Sequence, residues 1–265
     1  MAAFKDHFST IATQYAEFRP LYPRELFEYL ASLAVARDLA WDCACGSGQA
    51  TLPLATHFGR VLGTDASGAQ IAAAAPHPRV EYRVAPAEQC GLANGCVDLI
   101  TVAQALHWFE VERFYAEADR VLRTGGTLAV WTYGGMRMPD AALDEELLRF
   151  NRDVVGPHWP AERRLVDEGY RTLPFPYAEL ESPVFHMQQR WALTRLLGYV
   201  RSWSATRRFM AHYGTDPVVD LARKLQALWG DDMEERRIIW PLSLRVGLKE
   251  AAGQSPARAG AAPSV

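Results

Sequence analysis

Between residues 39 and 132, short apolar runs alternate with segments of helical periodicity. Strand-like runs at 39–43, 60–64, 80–84, 97–102 and 127–132 are interleaved with helical patterns at 49–58, 69–75 and 111–122. Strand, helix, strand repeated through short connections implies a parallel sheet covered on both faces. In such sheets ligands bind beyond the carboxyl ends of the strands, so the loops after Cys43, Thr64, Val84 and Val102 are expected to converge on one crevice.

A helix at 22–36, with Pro23 near its start, precedes the alternation. Between 134 and 190 the rhythm weakens: 141–153 reads as helix, and Pro157, Pro160, Pro174, Pro176 and Pro183 interrupt the stretch after it. Residues 182–188 read as strand, 193–202 and 218–228 as helices, and 237–249 as a long apolar strand whose hairpin pairing would complete the sheet. The small, Pro/Gly-rich stretch 251–265 is expected to be disordered.

A chain of 265 residues can bury a sizeable core without staples. A formal charge of -3 gives no general attraction to nucleic acid or acidic membranes. No run of about 18 apolar residues occurs, and the N-terminal residues lack a basic region followed by an apolar stretch, so a cytoplasmic protein is expected. Cys43, Cys45, Cys90 and Cys96 are expected to be reduced, and they lack the paired spacing of a tetrahedral zinc site, so no metal is expected.

The turn Cys43-Ala-Cys-Gly-Ser-Gly48 lies where a strand gives way to a helix. Gly46 and Gly48 let ligand atoms approach the backbone there, or simply permit a tight turn. Asp65, at the end of the second strand, can accept hydrogen bonds from two ribose hydroxyls, and together these features point to an adenosine-containing cofactor. A dinucleotide fingerprint wants a third small residue where Thr51 stands, and no G-x-x-x-x-G-K-[ST] sequence is present.

Asp42-Cys-Ala-Cys-Gly-Ser-Gly-Gln49 resembles the first motif of class I S-adenosylmethionine-dependent methyltransferases, and Asp65 matches their ribose acid. Ala87-Glu88 resembles the position that contacts adenine. Asp98-Leu-Ile-Thr-Val-Ala-Gln-Ala-Leu-His-Trp-Phe109 resembles the fourth-strand motif of the small-molecule branch (methyltransferase type 11, trans-aconitate methyltransferase-like), and Arg123-Thr-Gly-Gly126 resembles the turn before strand five. Phe8, Ala12, Tyr15, Arg19 and Pro20-Leu-Tyr-Pro23 are similar to the lid of that branch. Two departures stand out: Ala44 replaces the first glycine and Thr124 the usual proline.

The resemblance implies a Rossmann-like three-layer α/β sandwich with a seven-stranded, mostly parallel sheet, a C-terminal antiparallel hairpin, an N-terminal lid helix and a helical insertion. The expected divisions are 1–37 lid and helix, 38–133 cofactor-binding core, 134–190 insertion near the substrate, 191–250 completion of the sheet, and 251–265 tail. The implied cofactor is S-adenosyl-L-methionine, held by Tyr15, Arg19, Asp42, Cys45, Gly46, Gly48, Asp65, Ala66, Ala87, Glu88 and Gln104. Asp42 and the turn backbone would hold the methionine end, and Gln104 would sit close to it.

His107 is the catalytic candidate, either taking a proton from an acceptor hydroxyl or serving as an oriented structural histidine. Trp108, Tyr133, Arg137 and Trp203 are the candidate acceptor-binding residues, with aromatic core packing the other reading for Trp108. The aromatic stretch from Trp191 to Tyr213, interleaved with arginines, reads as core plus solvated face rather than a nucleic-acid surface. The expected reaction is methyl transfer to a small-molecule acceptor, with O-methylation of a carboxylate or hydroxyl favoured. A non-catalytic nucleoside-binding protein and an NAD-dependent oxidoreductase are the rival readings. The expected partner is the acceptor alone, in a monomer or homodimer.

Overall fold

The computed structural model describes residues 20–251. Tyr15, Arg19 and the rest of the expected lid, together with the tail from residue 252, lie outside the described residues. Strands β1 (Leu39–Cys43), β2 (Arg60–Asp65), β3 (Val80–Val84), β4 (Val97–Ala103), β5 (Leu122–Tyr133), β6 (His186–Trp191) and β7 (Arg236–Leu248) form one sheet in the order β3-β2-β1-β4-β5-β7-β6. The first five are parallel, and β7 runs antiparallel to both β5 and β6. This is the seven-stranded, mostly parallel Rossmann-like sheet with antiparallel C-terminal strands that the resemblance implied.

The helices are α1 (Arg24–Leu33), α2 (Thr51–Leu54), α3 (Gly68–Ala72), α4 (Val111–Val121), α5 (Ala141–Arg149), α6 (Arg163–Asp167), α7 (Leu193–Arg201), α8 (Ser204–Tyr213) and α9 (Val218–Trp229). They cover both sheet faces. Ala129 and Trp131 of β5 join a hydrophobic cluster with α1, α5, α7 and α9, while Leu128 and Val130 join a second with Phe114, Ala118 and Val121 of α4. The side-chain period of two sends alternate residues to opposite faces. Because both faces are covered, the strands read as continuous apolar runs.

Several elements differ from the sequence reading. The helix expected at 49–58 is regular only over α2 and closes in turns, with Thr56, His57 and Phe58 bonding back to Pro53 and Leu54. The strand expected at 182–188 lies later, at β6, because its partner β7 dictates the register: His186 faces Pro241 and Trp191 faces Arg236, leaving Val184 exposed. The helix expected at 141–153 stays α-helical only to Arg149 and then widens into a π turn over Phe150–Val154. Helices α6 and α8 had no counterpart in the sequence reading.

The edge of the sheet opposite the crevice is braced by the fully buried Asp98. Its Oδ2 accepts the amides of Asp38 and Leu39 at 2.8 and 2.9 Å, and its Oδ1 lies 2.9 Å from Arg123 Nε. Asp98→Ala would strand all three donors and is expected to cost about 3 kcal/mol. Urea unfolding reads that loss, and binding in the crevice of the remaining folded protein should be unchanged.

Candidate active site

The crevice begins at the turn after β1. Gly46 and Gly48 have φ of +56° and +92°, and Ala44, where the family pattern has glycine, also takes a left-handed φ of +54°. The two glycines are needed for different reasons. A Cβ on Gly48 would lie 2.3 Å from the hydroxyl of Tyr82, which fills the space beneath the turn, whereas a Cβ on Gly46 would meet nothing nearer than Gln70 Oε1 at 3.7 Å. Asp65 anchors the turn by accepting Gly46 N at 2.9 Å and Ser67 N at 2.8 Å. Each carboxylate oxygen has a second lone pair direction, so an anchored Asp65 can still accept from ribose hydroxyls.

Asp42 departs from its expected place. It is fully buried below the turn, does not line the cavity, and accepts hydrogen bonds from Thr51 Oγ1 at 2.6 Å and Thr101 Oγ1 at 2.8 Å. Thr51, which had served only to exclude a dinucleotide, is a structural partner of the motif acid. Burial pushes the Asp42 carboxyl up to about 6, against the two hydroxyl bonds that favour its ionised form. Burial also holds the Cys43 and Cys45 thiols well above their ordinary range, so both are protonated packing groups.

A cavity of about 690 Å³ opens above the turn. Its walls come from the loops after β1 (Ala44 to Ser47), β2 (Asp65 to Ser67), β3 (Ala85 to Glu88) and β4 (Ala103 to Glu110), the convergence expected of a parallel sheet. Cys45, Gly46, Asp65, Ala66, Ala87, Glu88 and Gln104 all line it, while Gly48 does not. Gln104 adopts a left-handed φ of +57°. Its side chain clasps the end of β5, with Oε1 accepting from Thr132 Oγ1 and Tyr133 N and Nε2 donating to Tyr133 O.

A second cavity of about 420 Å³ adjoins the first. Tyr133 and Trp203 line it, together with Asn151, Trp159, Arg163, Tyr199 and Arg207. Gln104, His107, Trp108, Pro160 and Arg208 border both cavities. Arg137 borders neither: its backbone is pinned to Ile239, and its guanidinium grips Asp144 at 2.7–3.2 Å on the first turn of α5. A carboxylate seven residues away in sequence has captured the arginine assigned to an acceptor.

His107 Nδ1 lies 2.8 Å from the hydroxyl of Tyr170, a buried residue with a left-handed φ of +61°. Burial raises the Tyr170 phenol well above its ordinary value, so it stays protonated. Tyr170 is held in turn by Arg245 of β7, whose Nη1 donates to Tyr170 O at 2.6 Å while Nε and Nη2 bind Glu179 at 3.0 and 2.7 Å. Tyr170 and Arg245 carry no periodicity or motif signal. Asn151 reaches the cavity through the π turn, where its Oδ1 accepts Trp159 Nε1 at 2.9 Å. The Trp191 end of the aromatic stretch is core, packed against Tyr199 and Trp240.

The family described as a methyltransferase domain matches residues 41–130. A Dictyostelium discoideum protein provisionally named a methyltransferase is 35% identical over 226 residues, covering 84% of this chain and 86% of that protein. The solved structure of a provisionally named type II methyltransferase from Anaeromyxobacter dehalogenans superposes with a TM-score of 0.84 at 45% identity, covering 88% of this chain and 99% of that one. A Saccharomyces cerevisiae protein provisionally named an S-adenosylmethionine-dependent methyltransferase is 30% identical over 131 residues, covering 46% of this chain and 45% of its own length. A parallel sheet with a glycine turn after its first strand and an acid at the end of the next, seen in this company, defines a nucleoside-cofactor group-transfer enzyme. The chain belongs to the class I S-adenosylmethionine-dependent methyltransferases, and S-adenosylmethionine is its cofactor.

The turn yields two tests. A carboxyl that binds its proton more tightly when folded loses stability as pH rises from the unfolded value of 3.8 through about 6. Relative to Asp42→Asn, the wild type should therefore lose about 2–3 kcal/mol between about pH 4 and pH 6.5 in denaturant titrations. A pH-independent difference would show that Asp42 titrates normally. Ala44→Gly removes the left-handed strain on a Cβ and is expected to add about 1 kcal/mol, a rise of roughly 2–4 °C in Tm.

Proposed function

We propose that this methyltransferase acts on a small-molecule acceptor, with an oxygen of a carboxylate or hydroxyl as the favoured methyl-accepting atom. The observation that carries this reading is the pair of adjoining cavities with His107, Gln104 and Trp108 in their common wall. The second cavity, at about 420 Å³, has the size of a small-molecule site. A cytoplasmic location is part of the proposal; no described helix is long and apolar enough to cross a membrane.

When bound, S-adenosylmethionine supplies a sulfonium methyl, whose bond to sulfur breaks with its electron pair staying on sulfur as an acceptor lone pair bonds to the carbon. The turn from Ala44 to Ser47 would bind the methionine end, Asp65 the ribose, and Ala87-Glu88 the adenine surroundings. Gln104, locked to β5, keeps the wall between the cavities in place and helps align the acceptor. His107 has Nδ1 committed to Tyr170, so proton exchange with an acceptor runs through Nε2. A hydroxyl acceptor needs that exchange; a carboxylate does not. Trp108 would cover the acceptor at the junction.

Titration calorimetry with S-adenosylmethionine and S-adenosylhomocysteine should show binding of both, and no binding at millimolar ligand would sink the proposal. With a hydroxyl acceptor, His107→Ala is expected to lower kcat by about 10²–10⁴. Tyr170→Phe should shift the pH profile and lower kcat less. With a carboxylate acceptor His107→Ala should retain most activity, and release of S-adenosylhomocysteine distinguishes either case from a non-catalytic binder.

A further inference from the structure

Arg163, Arg207 and Arg208 line the second cavity, and among the described residues no aspartate or glutamate does. Arg163 is already neutralised: its Nε donates to Asp167 Oδ1 at 2.8 Å, and its guanidinium stacks 4.3 Å from the ring centroid of Trp159. Arg207 is different. It is half-buried, its Nη2 donates only to the backbone carbonyl of Ser202 at 3.1 Å, and among the described residues neither it nor Arg208 has a carboxylate partner. Burial pulls the Arg207 guanidinium below its ordinary value. In a chain of net charge -3 this positive cavity is a local feature, and an anionic ligand would offset the cost of desolvating its cations.

The apolar side of the same cavity is aromatic, with its rings tilted and edge-on to one another. Trp203 packs 5.7 Å from Trp159 and 5.9 Å from Tyr199, and the polar edge of Trp159 is occupied by Asn151. Arg208 borders both cavities, whereas Arg207 borders only this one. Charge pairing with Arg207 makes a carboxylate a poor nucleophile, so the methyl-accepting oxygen is a second one.

We propose that the acceptor is a bifunctional organic acid: an anchoring carboxylate held by Arg207 with help from Arg208, a planar or apolar body against Trp159 and Trp203, and a second oxygen that receives the methyl beside His107. The proposal rests on reading this cavity as the acceptor site. If the second oxygen is a hydroxyl, its proton leaves through His107 Nε2; if it is a carboxylate, no proton moves. In both cases the methyl carbon exchanges its bond to sulfur for one to oxygen.

The test uses tryptophan fluorescence of the full chain, with and without S-adenosylhomocysteine, titrated with 4-hydroxyphenylacetate, 4-carboxyphenylacetate and 4-hydroxyphenylacetamide. At least one acid should bind ten times more tightly than the amide. Arg207→Gln should abolish that preference, Arg207→Lys should keep part of it, and Arg137→Gln, outside the cavity, should leave it unchanged. No acid binding more tightly than the amide, or a preference that survives Arg207→Gln in a variant with a wild-type melting curve, would overturn the proposal. The wild-type comparison decides the matter even if that variant does not fold. Acid preference without any S-adenosylhomocysteine binding would instead sink the methyl-transfer reading and leave the anion site standing.

Discussion

The structure turns on one buried carboxylate. Strand order reverses between β1 and β4: β2 and β3 extend the sheet on one side of β1, and β4 and β5 extend it on the other. The loops leaving β1 and β4 must diverge there, and a crevice opens between them. Asp42 sits at this reversal opposite Thr101, and its two hydroxyl partners tie β1 to β4 and to α2. A buried carboxyl is tolerated only when its oxygens are satisfied, so Thr51 and Thr101 are requirements of Asp42. The turn carried above them can then hold the left-handed conformations of Ala44, Gly46 and Gly48.

The second cavity depends on a second buried charge. Arg245 of β7 binds Glu179 and two carbonyls, those of Tyr170 and Leu173, and so pins the segment that carries Tyr170 beneath the sheet. Tyr170 in turn holds His107 by Nδ1. Antiparallel β7 thus reaches the wall between the cavities through one arginine and one tyrosine. Left-handed backbone at Ala44, Gln104 and Tyr170 puts three sparsely populated conformations around the same crevice, a concentration typical of sites whose surroundings over-determine their geometry.

The first cavity was legible because its information is local in sequence. A glycine turn after a strand, an acid at the end of the next strand and short loops at successive carboxyl ends lie at fixed offsets from strands that hydropathy locates; Cys45, Asp65, Ala87 and Gln104 line one cavity for that reason. Asp42 was legible as part of the motif but not in its place, because only burial shows that Thr51 and Thr101 take its oxygens. The second cavity was less legible. Arg137 sits in a strand-end loop, as an acid-binding arginine could, yet Asp144 binds it. Arg207 looked like one charge among many on the solvated face of an aromatic stretch, and its lack of a carboxylate partner among the described residues emerges only when α8 is packed against the Trp159 segment.

By itself the sequence determined the sheet, its covered faces, the crevice edge and the class of cofactor, because strand periodicity, glycine conformation and motif spacing are properties of neighbouring residues. Tertiary structure alone decided which charges remain uncompensated and which side chains meet across the common wall. Pairing Arg137 with Asp144, Arg245 with Glu179 and His107 with Tyr170 spans between 7 and 66 residues of chain. Contacts of that kind are set by how layers pack, and no local pattern in the chain encodes them.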